Sequence, residues 1–215
     1  MNYKSTRDVK VNVPSAYAIS QGLSSDGGLF VPENLPKLSE EKIMSLCDMS
    51  YAERAYEIFR LFLTDFTDDE IKHCVNGAYN DKNFATDNIG TYILELWHGP
   101  TCAFKDMALQ ILPYLLTTSA KKTIDGKKIS ILVATSGDTG KAALEGFKDV
   151  DGTSIMVFYP EDGVSNMQKR QMTTQEGSNV NVCAVVGNFD DCQSGVKQIF
   201  TDKSVIAQLE KANTV

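Results

Sequence analysis

The sequence is poor in the residues that build metal and disulfide frameworks. Its 215 residues include two histidines, His73 and His98, and five cysteines. Cys47, Cys74, Cys102, Cys183 and Cys192 are odd in number and widely spaced, and none forms a C-x-x-C pair. A disulfide scaffold or a zinc site is therefore not expected; small buried thiols in a reducing compartment are. No apolar run approaches the roughly 18 residues a membrane helix needs. The opening stretch, MNYKSTRDVKVNVPS, lacks the apolar centre of a signal peptide. These absences predict a cytoplasmic protein without a membrane partner. Positive charge is scarce too: 21 Lys and Arg face 28 Asp and Glu, a formal net charge of −7. Such a balance argues against nucleic acid as a partner, and an anionic ligand must be held by a local pocket against the global field. Two phosphate-binding patterns are missing as well. A Walker A loop ending at Gly140-Lys141 would need glycine at 135 and a hydroxyl residue at 142, where Thr135 and Ala142 stand. A G-x-G-x-x-G fingerprint is absent.

What is present can fold. Hydrophobic residues make up 42% and charged residues 23%, which excludes a disordered type. The chain has two textures. Residues 1 to about 90 predict a mostly helical region, with Ser50…Glu53 and Thr67…Glu70 as capping boxes. Between them Ala55, Ile58, Phe59, Phe62 and Leu63 recur at helical spacing. From 91 to 215 strands and helices alternate at a step of about 25 to 30 residues, the rhythm of βαβ units on a parallel sheet. Strands are predicted over 92–97, 129–134, 154–159 and 179–186. Ile129 to Ala134 (ISILVA) reads as a strand buried on both faces. Helices are predicted over 103–118, around 141–144, and over 166–176, 190–200 and 204–212. The fold class is thus α/β, a helical region followed by a parallel-sheet domain. Lys121-Lys122 and Lys127-Lys128 flank Asp125-Gly126 and read as a solvated turn.

Ligands of parallel sheets lie outside the carboxyl ends of the strands, and two stretches there carry chemistry. In HGPTCAFKDMALQ (98–110), Lys105 falls in the first turn of the helix predicted from Ala103. Ala108, Leu109 and Leu112 share its face, and Pro113 is expected to kink or end the helix. A cation at a helix N-terminus is disfavoured, and burial disfavours the charged form of an amine. A lysine so held is a poor structural element and a good nucleophile toward a carbonyl. The plainer reading is a stem that reaches out to solvent.

The second stretch is Thr135-Ser136-Gly137-Asp138-Thr139-Gly140, between a strand and a helix. Its glycines allow close backbone approach, its three hydroxyls can donate, and the helix start favours an anion. The plainer reading is a capped helix start with tight turns. Asp138 opposes a simple phosphate cradle unless it accepts a proton or a hydrogen bond.

Taken together, HGPT-x-AFKD-x-ALQ and ATSGDTG resemble the signatures of threonine synthases, pyridoxal-phosphate enzymes of the tryptophan synthase β-type fold (fold type II). Ser5-Thr6-Arg7, the stretch Gly22–Pro32 (GLSSDGGLFVP), Val164–Thr174 and Phe189–Gln193 (FDDCQ) are similar to further family signatures, so the resemblance runs over nearly the whole chain. The resemblance implies that Lys105 is the catalytic lysine, forming the Schiff base with pyridoxal phosphate and moving protons at the substrate's α and β carbons. It implies that Asp138 faces the cofactor ring and that Ser136, Gly137 and Thr139 bind the substrate carboxylate. The implied activity is a carbon–oxygen lyase acting on a phosphate ester, converting O-phospho-L-homoserine and water to L-threonine and phosphate in amino-acid biosynthesis. The family's second half, with a glycine-rich loop for the cofactor phosphate, has no counterpart here, since Gly187-Asn188-Phe189-Asp190 has one glycine. The expectation is an N-terminal portion, inactive alone, whose partner is the C-terminal half of the same enzyme. A related phospho-lyase and a non-catalytic anion-binding domain are the alternatives.

Overall fold

The computed structural model describes residues 1–80, 95–124 and 126–215. It divides into two compact units, one of Met1–Asn88 with Gln110–Asp125, the other of Ile89–Leu109 with Gly126–Val215.

The first unit opens with strand β1 (Asn2–Ser5), β2 (Val13–Pro14), helix α1 (Ser15–Gln21) and β3 (Phe30–Pro32). The three strands form an antiparallel sheet with β1 in the middle, pairing Tyr3 with both Val13 and Pro32. This sheet was not expected, because NYKS and VP are too short and too polar to show a strand period. Helices α2 (Glu40–Leu46), α3 (Tyr51–Phe62) and α4 (Asp68–Ala78) follow. Both predicted capping boxes are formed: the Ser50 and Thr67 hydroxyls accept from the amides of Glu53 and Glu70, whose carboxylates accept from the cap amides in return. The chain passes to α5 (Asp106–Leu109) of the second unit and returns with α6 (Leu112–Thr123). A core of Ala16, Leu63, Phe66, Ile71, Val75 and Leu115 joins α1, α4 and α6.

Two of its polar contacts reach far along the chain. The cap position of α1 is Pro14, which has no side-chain acceptor, so Asp65 accepts the first amides of the helix, Ser15 N at 3.1 Å and Ala16 N at 2.9 Å. Lys122 is not part of a solvated turn as expected: it pairs with Glu70 at 2.7 Å and donates to the Asp65 carbonyl at 3.0 Å.

In the second unit, β4 (Ile129–Ala134), β5 (Thr153–Pro160) and β6 (Val180–Val185) form a parallel sheet in that order. It is threaded by α7 (Asp138–Phe147), α8 (Asn166–Thr173), α9 (Phe189–Thr201) and α10 (Lys203–Lys211). The alternation is as read from the sequence, but the buried strand is the central β5, whose Ile155, Val157 and Tyr159 face the core. In β4 only Ile129 is fully buried. Helices α7 and α9 both pack on the sheet, and three strand-to-helix loops gather at its carboxyl end.

Four expectations change. Of the strand predicted over 92–97, residues 92–94 lie outside the described residues and 95–97 have no strand structure. The helix predicted over 103–118 is broken: α5 is one turn, α6 is a new helix, and Pro113 sits at its start, where a missing N–H costs nothing. With that break Ala108 is exposed and Leu112 is 37% exposed, so no helix apolar all round encloses Lys105. The division into 1–90 and 91–215 is refined, since Gln110–Asp125, with α6, groups with the first unit. Finally, of the five free cysteines only Cys74 and Cys192 are buried.

Candidate active site

Lys105 stands in a run of turns between His98 and α5, not in a helix. The turns are built by Asp106, which is fully buried. Its carboxylate accepts from the Thr101 amide at 2.8 Å, the Thr101 hydroxyl at 2.6 Å and the Ala103 amide at 3.3 Å. The chain closes over it at Gly99, where a Cβ would lie 2.4 Å from that of Asp106, and Cys102 adopts φ 56° to complete the turn. The backbone bonds that follow, Asp106 N to Ala103 O at 3.0 Å and Met107 N to Phe104 O at 3.4 Å, are three-residue turns, so the α-helix begins only at Asp106. This is the physical reason the sequence reading failed there. His98 meets Glu95 at 2.6 Å just before the turn.

The Lys105 side chain is half-buried and its Nζ lies 4.2 Å from the centre of the Phe104 ring. Among the described residues no carboxylate is within ion-pair distance of it. No carboxylate of the described residues therefore holds the amine.

Helix α5, which follows Lys105 directly, packs against α7, the helix that the SGDT loop opens. Thr135 shapes that loop from below. It is buried, and its hydroxyl accepts from the amides of Gly137 at 3.0 Å and Gly140 at 2.9 Å and donates to the Gly137 carbonyl. Of the three hydroxyls expected to donate outward, only those of Ser136 and Thr139 are left. Both glycines are also needed for packing against protein. A Cβ on Gly137, at φ 149°, would meet Gln168 Nε2 at 2.3 Å, and one on Gly140 would meet Thr135 Cγ2 at 2.6 Å.

Gln168 is a residue the sequence reading did not single out. Its Oε1 accepts from the Ser165 amide at 3.0 Å, closing the capping box of α8. Its Nε2 donates to Asp138 Oδ1 at 2.9 Å. Asp138, whose charge argued against a phosphate cradle, thus has its donor. The S-x-x-Q pattern signals the cap, but no local signal announces the contact thirty residues away. The third loop is closed to ligands: the Asn188 side chain takes the amides of Asp190 and Asp191 at 2.8 and 3.1 Å. No candidate metal cluster occurs among the described residues.

A lysine in a turn, next to a helix that packs on the helix opened by a hydroxyl-bearing loop, fits a group that offers an aldehyde and an anion. The fold is that of the fold type II class of pyridoxal-phosphate enzymes. Residues 2–79 match the family described as Threonine synthase N terminus. A threonine synthase of Pseudomonas aeruginosa is 41% identical over 215 residues, covering 96% of this chain and 45% of that protein. The structure of a pyridoxal-phosphate-bound threonine synthase from Brucella melitensis superposes with a TM-score of 0.82 at 37% identity, covering 95% of this chain and 45% of the other. The Escherichia coli threonine synthase structure gives 0.85 at 31% identity, over 100% and 49%. Over nearly its whole length the chain is similar to the N-terminal portion of threonine synthases. It spans a little under half the length of the curated relatives it matches.

Proposed function

We propose that this chain carries the lysine and the substrate loop of a pyridoxal-phosphate-dependent threonine synthase. The observation that carries the reading is the Lys105 amine, without a counterion, in a turn whose helix packs on the helix opened by Ser136–Thr139. Pyridoxal phosphate, when bound, supplies an electron sink for carbanions adjacent to an imine. Lys105 anchors that group and then takes and returns protons at the α and β carbons of O-phospho-L-homoserine. Ser136 and Thr139, on a loop whose Gly137 backbone is tied to Thr135, orient the substrate carboxylate at the start of α7, where the helix dipole favours an anion. Asp138, steadied by Gln168, is the residue that would meet the cofactor when it is bound. Phosphate leaves from the γ carbon and water adds at the β carbon, giving L-threonine. Because the relatives are about twice as long, turnover is assigned to these residues together with the remaining length such proteins have. A cytoplasmic, biosynthetic role accompanies this reading.

The test is trapping. The chain is incubated with pyridoxal phosphate and reduced with borohydride, and its peptides are mapped by mass. The label is expected on Lys105 and absent in Lys105→Ala. An even spread over surface lysines, unchanged in that variant, refutes the reading. In a turnover assay, threonine formed mole for mole with phosphate separates a threonine synthase from a phospho-lyase.

A further inference from the structure

Asp106 has no step in the reaction just described, yet it is the fully buried carboxylate around which the lysine turn is wound. It follows Lys105 directly in sequence. Two opposite charges on adjacent residues would attract each other. They do not pair. Both carboxylate oxygens are turned the other way, Oδ2 to the amides of Thr101 and Ala103 and Oδ1 to the Thr101 hydroxyl. A buried carboxylate needs such donors. Here they come from the segment that leads into Lys105, so satisfying the carboxylate and shaping the turn are one event. Gly99 seals the arrangement, since any side chain there would occupy the place of the carboxylate.

We infer that Asp106 is the positioning residue of this site. Held by Thr101 and Ala103, its carboxylate fixes the turn from Gly99 to Lys105 and leaves the lysine amine without a counterion, and it exchanges no proton itself. The inference rests on the reading of Lys105 as the cofactor lysine.

The experiment compares the full chain with Asp106→Ala, Asp106→Asn and Thr101→Val. The first readout is the fraction of borohydride-trapped pyridoxal phosphate found on Lys105. The second is amide hydrogen exchange at Thr101 and Ala103. Losing the acceptors of three hydrogen bonds to a charged group should lower the Lys105 fraction about tenfold in Asp106→Ala. Asp106→Asn keeps an acceptor for the two amides and should stay within about threefold of the parent, and Thr101→Val, missing one donor, should fall between. Undiminished trapping in Asp106→Ala overturns the inference. If the parent chain itself shows no preference for Lys105, the cofactor reading fails instead. The positioning claim is then decided by exchange: faster at both amides in Asp106→Ala upholds it, and unchanged protection overturns it. Should Asp106→Ala not fold, the order parent, Asp106→Asn, Thr101→Val in trapping decides, and no difference among the three overturns the claim.

Discussion

Two glycines in helices of the second unit should respond to the same substitution with opposite signs. Gly140 lies in the first turn of α7, and a Cβ there would meet Thr135 Cγ2 at 2.6 Å, Met172 Sδ at 2.9 Å and Val157 Cγ1 at 3.0 Å. All three neighbours are buried, Met172 and Val157 completely. Alanine gains about 1 kcal/mol over glycine in a helix interior. Overpacking a tight site costs about 1–3 kcal/mol. Three contacts at or below 3.0 Å against neighbours that are themselves enclosed place the cost in the upper half of that range. Gly140→Ala should therefore destabilise by about 1–2 kcal/mol. Gly195 lies within α9 with nothing within 4 Å of its Cβ position, so only the helix preference acts. Gly195→Ala should stabilise by about 0.5–1 kcal/mol. Urea unfolding followed by circular dichroism reads both, and the two midpoints should differ on the order of 1 M. A Gly140→Ala midpoint at or above that of the parent would refute the claim that this glycine exists for packing. It would return the glycine to the role the sequence implied, close approach of a ligand.

Thiol reagents offer a second check. Cys47, Cys102 and Cys183 should react at once in the native chain, whereas Cys74 and Cys192, whose thiols burial pushes up, should react only on unfolding. Acid should weaken the N-terminal turn. The Gly28 amide, with the Ser5 and Ser24 hydroxyls, holds the Asp26 carboxyl below its ordinary range, so the unfolded chain binds its proton first as pH falls. The stabilisation is complete at neutral pH and is lost as pH drops through that low range. Urea midpoints should fall less steeply between pH 7 and 3 in Asp26→Asn than in the parent. Glu70 behaves alike: burial raises it, but the Lys122 ion pair and the Thr67 cap outweigh that and lower it. Lys122→Ala should cost up to about 1 kcal/mol, less at high salt, as a thermal melt in 0.05 and 0.5 M salt would show.

How far the sequence could be read depended on whether a contact was local. The capping boxes at Ser50 and Thr67 span three residues and were legible, as was the ISILVA strand, whose run of apolar side chains has no other good use. The turn at 99–105 was not. Its apolar spacing continues smoothly through Pro113, and the turn is set by a buried side chain that collects amides from three and five residues back together with Cys102 at φ 56°. A carboxylate next to a lysine reads from sequence as a solvated pair, so Asp106 gave no warning of its burial. The N-terminal sheet was invisible for another reason: strands of two to four residues carry no period to detect. In the SGDT loop the residues were found but the purpose of the glycines was not, because what fills the space beside Gly137 is a side chain from another helix.

That side chain has one amide and two obligations. Gln168 closes the first turn of α8 with its oxygen and steadies Asp138 with its nitrogen, and neither end can substitute for the other. Whatever draws the Asp138 carboxylate toward itself strips a hydrogen-bond acceptor from the opening of a neighbouring helix. The opening of α8 thus depends on where the Asp138 carboxylate sits, through a single amide between two helices that pack directly on each other.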